Sequence, residues 1–250
     1  KHWRNRLPAT FYCSHSLAPI MYITDTTPVS VNSLVIPKSM KDPQSKEEIY
    51  LQDRASVILV KMNNGAVTRL LQPNLRGHGN WYRIHGTAGL MENLRPEGKK
   101  DMLRIYHDDL DMSVGMEKER IYIPDFGDLN ESAKKAGHGG GDYFTSLHFK
   151  KAIEEYKQPY FDVYKAVTIA AVGIQAHRSA MENGAPYLIP DFRDLKEREN
   201  YRDDYHTPFI EDGHPQKLPY SIVDYPKPSE SAKENARSIW LEKGYNINNI

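Results

Sequence analysis

The stretch Ala55-Ser56-Val57-Ile58-Leu59-Val60-Lys61-Met62-Asn63-Asn64-Gly65-Ala66-Val67-Thr68-Arg69-Leu70-Leu71 decides the fold. Two runs rich in Val, Ile and Leu flank Asn63-Asn64-Gly65, and Asn and Gly accept the positive φ angles that a tight reversal demands, so the stretch reads as a hairpin with strands at 55–62 and 66–71. Working outward, the same period of two marks further strands at 29–36, 81–85, 89–92, 102–106 and 120–123. Before them, Ser14 or Ser16 can cap a short helix running to about Asp25, with Pro19 tolerated in its first turn and His15 at its start. After them, Asp142 can cap a helix over 143–157 that carries Phe144, Leu147, His148, Ala152 and Tyr156 on one face and stops at Pro159. Asp162 can cap a second helix over 163–183, whose apolar stripe is Val163, Val167, Ala170, Ala171, Ile174 and Met181 and whose stop is Gly184 with Pro186. The expected class is α+β: an open, mostly antiparallel β-sheet with helices packed on one face. Beyond Asp191 the composition turns to charge and proline. The expected organisation is therefore a domain over 1–193 and a wrapping tail over 194–250, ending in a short helix opened by a Ser231 and Glu234 capping box.

Composition excludes several functions. With 250 residues, 33 basic and 33 acidic, the formal charge is zero, so no basic field holds nucleic acid or an anionic membrane. At 39% hydrophobic and 26% charged residues the chain is globular rather than disordered. The apolar run from Ala166 to Ala176 falls short of the roughly 18 residues that a spanning helix needs, and no membrane segment is expected. The single Cys13 permits no internal disulfide and favours a reducing, cytoplasmic setting. The sequence opens on Lys1 with no leader pattern, which suggests that it starts within a longer protein. Tyrosine is abundant, 16 against 7 Phe and 3 Trp, and its flat ring with a polar tip suits sugar-like ligands as well as half-buried surfaces.

No Gly-x-Gly-x-x-Gly follows a strand and no Walker loop occurs, so no cofactor-binding residues can be named within the chain. The glycine-rich Gly137-His138-Gly139-Gly140-Gly141-Asp142 follows a charged segment instead of a strand. His107-Asp108-Asp109-Leu110-Asp111 reads as a solvated acidic turn rather than a hard-cation loop, and no metal is expected. A Gly-x-Ser-x-Gly elbow is absent, and Cys13 lacks a third orienting group. Tyr12 and His15, at a strand-to-helix turn, can point into one pocket and offer a proton donor or acceptor beside a hydroxyl-binding group. The run from Arg76 to Gly89 combines polar and aromatic groups and reads as a hairpin. His177 reads as a satisfied core histidine, and Asp162 and Asp191 as structural.

Several of these segments together resemble the carboxyl-terminal half of the Gfo/Idh/MocA oxidoreductase family: the helix-opening His15, the stretch Tyr82-Arg83-Ile84-His85-Gly86-Thr87-Ala88-Gly89, the loop His138-Gly139-Gly140-Gly141-Asp142-Tyr143, and the run from Asp162-Val163-Tyr164 through Gly184-Ala185-Pro186 to Pro190-Asp191-Phe192. The resemblance implies an amino-terminal Rossmann domain, absent from this chain, that binds NAD or NADP, followed by this α/β domain shaping the substrate site and forming homo-oligomer contacts through its open sheet face. The string Tyr12-Cys13-Ser14-His15-Ser16-Leu17-Ala18-Pro19 is similar to the NAD-dependent α-N-acetylgalactosaminidase branch, with Phe11 where the sugar dehydrogenases carry Asp and Ala18 in place of Gly. In that branch the bound NAD oxidises a sugar hydroxyl, the glycosidic bond is lost by elimination, water adds and hydride returns. Carried over, Tyr12 is a proton-transfer or hydroxyl-binding group, His15 a substrate-hydroxyl partner, and His138 and Tyr143 substrate-binding groups. The expected ligand is a carbohydrate or polyol, and the isolated chain is expected to show no turnover. The competing expectation is a non-catalytic binding module that retains the fold.

Overall fold

The computed structural model describes residues 6–37, 52–72, 79–209, 213, 215–223 and 228–245. The chain forms two compact units, residues 1–78 with 163–250, and residues 79–162. The first unit opens with α1 (Ser14–Thr24), β1 (Pro28–Ile36), β2 (Ala55–Met62) and β3 (Val67–Leu71). The second holds β4 (Arg83–Gly86), β5 (Gly89–Asn93), β6 (Leu103–His107), β7 (Glu119–Tyr122), α2 (Asn130–Lys134) and α3 (Gly141–Glu154). The chain then returns to the first unit with α4 (Val163–Met181), β8 (Tyr187–Leu188), α5 (Leu195–Asn200) and α6 (Glu230–Glu242).

The strands expected between 29 and 123 are all present, their ends moved by two residues or fewer. The α+β class with open antiparallel sheets stands, but the strands are shared between two four-stranded sheets, ordered β3-β2-β1-β8 and β4-β5-β6-β7. Alternation marks a strand without naming its partner, and here β3 pairs with β2 while β4 pairs with β5. In the opening hairpin, the Met62 N–H donates to the Ala66 carbonyl at 2.8 Å. Gly65 alone takes a positive φ, +87°. The asparagines serve by their side chains instead: the Asn63 and Asn64 amide oxygens accept from the Thr27 and Ala66 N–H groups, each at 3.0 Å.

In the first unit, helices α1 and α4 lie against the face of the sheet that buries Val31, Ile58, Val60, Met62 and Leu70. Leu17 and Met21 of α1 and Ile169, Val172 and Ala176 of α4 complete this core. β2 shows the cause in its alternation, with Ile58, Val60 and Met62 inward and Leu59 and Lys61 outward. The α4 stripe is corrected: Ala171 is buried, but Val163 is 64% exposed and Val167 and Ile174 are also exposed. The buried face instead carries Thr168, Gln175, His177 and Ser179 among its small apolar residues. These polar groups bond out of the helix or along it: Gln175 Nε2 donates to the Leu188 carbonyl at 3.1 Å, and Ser179 Oγ accepts from the Ser33 N–H at 2.8 Å.

The expected caps are also corrected. Cys13, not Ser14 or Ser16, precedes α1, and its carbonyl accepts from the Ser16 and Leu17 N–H groups. Pro19 lies beyond the first turn, where its ring brings no N–H to the His15 carbonyl. Gly140 precedes α3, and Asp142 sits in the first turn. None of the α3 residues is buried, and Tyr156 lies past the helix end at 96% exposure. Ser229 rather than Ser231 caps α6, because its extended backbone (φ −65°, ψ 159°) lets its hydroxyl accept from the Ala232 N–H at 3.1 Å.

The segment after α5 is strapped onto the first unit. Asp204 accepts from Arg178 Nη2 at 2.7 and 2.6 Å, and the Asp53 carboxylate receives the Ser221 hydroxyl at 2.7 Å and the Ile222 N–H at 3.2 Å. Burial pushes the Asp53 carboxyl up from its usual range, opposed by those two hydrogen bonds. In the second unit, an ionic ladder crosses the sheet from Arg83 to Glu92 at 3.6 Å, Glu92 to Arg104 at 2.9 Å and Arg104 to Glu119 at 2.5 Å. No helix among the described residues is long and apolar enough to cross a membrane.

Candidate functional site

The first pair of expected site residues sits where the chain enters α1. A tight turn precedes the helix, with the Phe11 N–H donating to the Pro8 carbonyl at 3.0 Å and the Cys13 N–H to the Thr10 carbonyl at 3.3 Å. This turn faces α4. Thr10 Oγ1 donates to the Gly173 carbonyl at 2.8 Å, and the Cys13 thiol lies 3.7 Å from the Ile169 carbonyl. Gly173 makes the approach possible, since a Cβ there would stand 3.1 Å from the Thr10 carbonyl oxygen and 3.2 Å from Phe11 Cα. Held this way, the Tyr12 ring stacks on the His15 ring, centroids 4.5 Å apart and planes 17° from parallel. Tyr12 is 44% exposed and His15 is exposed as well, so a phenol and an imidazole are offered to solvent on a buried mount. Ser14 Oγ lies 3.3 Å from His15 Nδ1, and Gln72 Nε2 donates to Ser16 Oγ at 3.1 Å, tying the helix start to the end of β3.

Cys13 takes no part as a nucleophile. Burial pushes its thiol up to about 12, with its own backbone working in the opposite direction, so it is a protonated thiol at neutral pH.

The second pair sits at the start of α3, in the other unit. His138, Gly139 and Gly140 all take positive φ, and the Asp142 carboxylate lies 2.9 Å from His138 Nδ1. A carboxylate that accepts from the Nδ1–H leaves Nε2 of a neutral ring as an acceptor. Asp142 thus orients His138 instead of capping the helix. Tyr143 is half-buried, its ring edge-on to Phe144 at 5.4 Å. The structure therefore brings Tyr12 to His15 and, separately, His138 to Asp142. Of the segment from Arg76 to Gly89, Arg76, Gly77 and His78 lie outside the described residues; the rest includes the β4–β5 hairpin, with Gly86 opposite Gly89.

The other motifs have structural roles. Asp108 accepts from the Leu110 N–H at 3.1 Å and Lys118 pairs with Asp109, which makes this segment a solvated acidic turn. No three His, Cys, Asp or Glu side chains gather as a metal site among the described residues. Asp191 accepts from the Arg193 N–H at 2.9 Å and fixes a chain turn, and α4 opens directly after Asp162. His177 is a core histidine, but only half satisfied: Nε2 meets the Pro219 carbonyl at 2.6 Å, whereas Nδ1 has no partner among the described residues. Sequence reading missed Thr10, Gln72 and Gly173. Gly173 alone left a trace, as a glycine inside a helix costs about 1 kcal/mol against alanine and so marks a close approach. The two sheets are antiparallel and the glycine-rich turn at 137–141 follows α2, not a strand, so these residues do not fit a dinucleotide cradle.

With this geometry in hand, comparison with known proteins is decisive: the model of the glycosyl hydrolase 109 C-terminal domain matches residues 73–197. The chain belongs to that family. A glycosyl hydrolase family 109 protein from Streptomyces niveus is 26% identical to this chain over 213 residues, covering 76% of the chain and 41% of the relative. The chain thus spans about two fifths of that relative's length. Among solved structures, a levoglucosan dehydrogenase in complex with NADH superposes with a TM-score of 0.60 at 17% identity, over 77% of this chain and 54% of that one. An oxidoreductase domain protein from Kribbella flavida gives 0.57 at 17% identity, over 76% and 53%. These likenesses show that the domain has the fold of the corresponding half of such oxidoreductases.

Proposed function

We propose that this chain is the substrate side of an NAD(P)-dependent sugar-modifying enzyme that works as a redox-assisted glycosidase. The observation that carries the reading is the Tyr12–His15 stack, two exposed polar rings held parallel on a buried mount. Bound in a Rossmann domain of the full-length protein, NAD or NADP supplies the hydride chemistry. The residues of this chain bind the sugar and move protons. The Tyr12 hydroxyl gives or takes a proton and His15 holds a substrate hydroxyl, while His138, its tautomer fixed by Asp142, and Tyr143 are polar groups suited to bind hydroxyls in their own unit. The abundance of tyrosine and the lack of net charge suit an uncharged, hydroxylated ligand. The levoglucosan and L-sorbose complexes of the dehydrogenases that share the fold favour the same ligand class.

The outer face of the first sheet exposes Leu34, Leu59, Val67, Leu71 and Leu188 on neighbouring strands. An apolar face of this kind is suited to a second copy of the chain, which presents the same surface. Incubating the full-length protein and NAD with nitrophenyl N-acetylgalactosaminide tests the activity. Release of nitrophenol without net NADH supports the glycosidase, and steady NADH formation from a free sugar would replace it with a dehydrogenase.

A further inference from the structure

We infer that His177 is a positioning residue that couples the carboxyl-terminal strap to the turn carrying Tyr12 and His15. The inference rests on the functional reading above only in the importance it gives that pair. His177 lies on α4 at 1% exposure, in the interior of the first unit. One side of its ring reaches the strap, with Nε2 at 2.6 Å from the Pro219 carbonyl oxygen, a distance that places the proton on Nε2 as donor. The Phe11 ring stands edge-on to the imidazole, centroids 5.8 Å apart and planes at 86°, and Phe11 is the chain neighbour of Tyr12. One buried ring thus touches both the strap and the turn.

Packing alone does not explain a histidine here. Its Nδ1 is buried with no partner among the described residues, and a buried polar atom left unpaired costs stability that an apolar side chain of similar size would not. What the histidine adds is a donor aimed at Pro219. Two residues further along the strap, Ser221 is fixed by a second buried polar group, the Asp53 carboxylate at 2.7 Å, so the segment is held at successive points on groups from α4 and from just before β2. Ser56 Oγ donates to the Ala9 carbonyl at 3.3 Å, and Thr10 Oγ1 donates to the Gly173 carbonyl at 2.8 Å, one helical turn before His177 on the same face of α4. The turn is fixed by the Ala9 carbonyl, by the Thr10 hydroxyl and by the Phe11 ring against His177, which gives the strap a route to the Tyr12–His15 stack without touching it.

The test compares His177→Met, which keeps volume but loses the donor, with His177→Gln, which keeps a donor for Pro219. In the 250-residue chain carrying 13C-labelled histidine and tyrosine, the expected result is that the Met variant moves the Tyr12 and His15 ring signals and exposes the Ile222 amide to exchange, and that Gln restores both. A Met variant that melts lower while the Tyr12 and His15 signals stay in place overturns the inference and leaves His177 a packing residue. Should the Met variant fail to fold, Ser221→Ala loosens the same strap from Asp53, and unchanged ring signals there overturn the coupling equally. In the full-length protein with its cofactor, the Met variant is expected to lose turnover by roughly tenfold, with recovery in Gln. Absence of turnover in the wild type as well would sink the functional reading, while the spectra still decide the coupling.

Discussion

Tyr12 and Cys13 are neighbours in sequence with opposite fates. The Tyr12 ring is exposed and touches His15, whereas Cys13 is sealed beneath it against α4. Tyr12→Phe in the full-length protein should therefore lower turnover by about a hundredfold, the order of one lost proton-transfer group, while the melting curve shifts by no more than about 0.5 kcal/mol. Equal activity would make the tyrosine a bystander. Cys13 should stay unmodified when the folded chain is treated with iodoacetamide at pH 8 and react once the chain is unfolded, because its pKa of about 12 leaves scarcely any thiolate. Mass spectrometry before and after denaturation reads the difference. Both residues and their different roles are legible in the sequence, but the burial of Cys13 is not, because it depends on α4, more than 150 positions away.

Elements were more legible than their surroundings. Strand ends came within two residues because alternating apolar positions and the Asn63-Asn64-Gly65 turn are local signals. The buried face of α4 is harder to read for the opposite reason: Gln175 and Ser179 look like solvent-facing residues until the Leu188 carbonyl and the Ser33 N–H are supplied as partners. A pattern of hydrophobicity cannot announce a polar residue that is buried because another segment satisfies it. The start of α6 shows how narrow a local error can be. Ser229→Ala should cost about 1 kcal/mol in helix stability, and Ser231→Ala, two residues on and inside the first turn, should cost far less. Thermal unfolding of the two variants side by side distinguishes them, and equal losses would contradict the cap. The candidate site divides in the same way. Tyr12, His15, His138 and Tyr143 stood in recognisable strings, whereas Thr10 and Gln72, which hold the first pair in place, have nothing in their sequence context to mark them.

At the scale of the whole molecule, two of the groups that hold the strap, His177 and Asp53, respond to acid in opposite directions. Burial, with help from the charge of Arg178 and against the Pro219 hydrogen bond, lowers His177 from 6.5 to about 4. The unfolded chain thus binds the proton first, and stability falls as pH drops from about 6.5 to about 4, by an amount on the order of 3 kcal/mol when fully developed. Asp53 is raised above 3.8, so the folded chain holds that proton longer and its contribution weakens as pH rises past 3.8. Melting temperatures of the wild type and of His177→Gln across pH 4 to 7 should differ in slope, the variant being the flatter. Parallel curves would show that His177 does not titrate as its burial requires. The exposed leucines of the first sheet predict a dimer in light scattering at micromolar concentration, and Leu59→Glu should return it to a monomer.

The first unit is assembled from two lengths of chain, 1–78 and 163–250, while the second is one uninterrupted stretch between them. During synthesis from the amino terminus, β1 must therefore wait for α4 and β8, over a hundred residues later, before its inner face and its edge are covered. The intervening unit contains all of its own strand partners and can close first, in the manner of domains that fold as they emerge. The order of completion on the ribosome is thus inverted with respect to the order of the sequence. Of the two units, the one that carries Tyr12 and His15 is begun first and finished last.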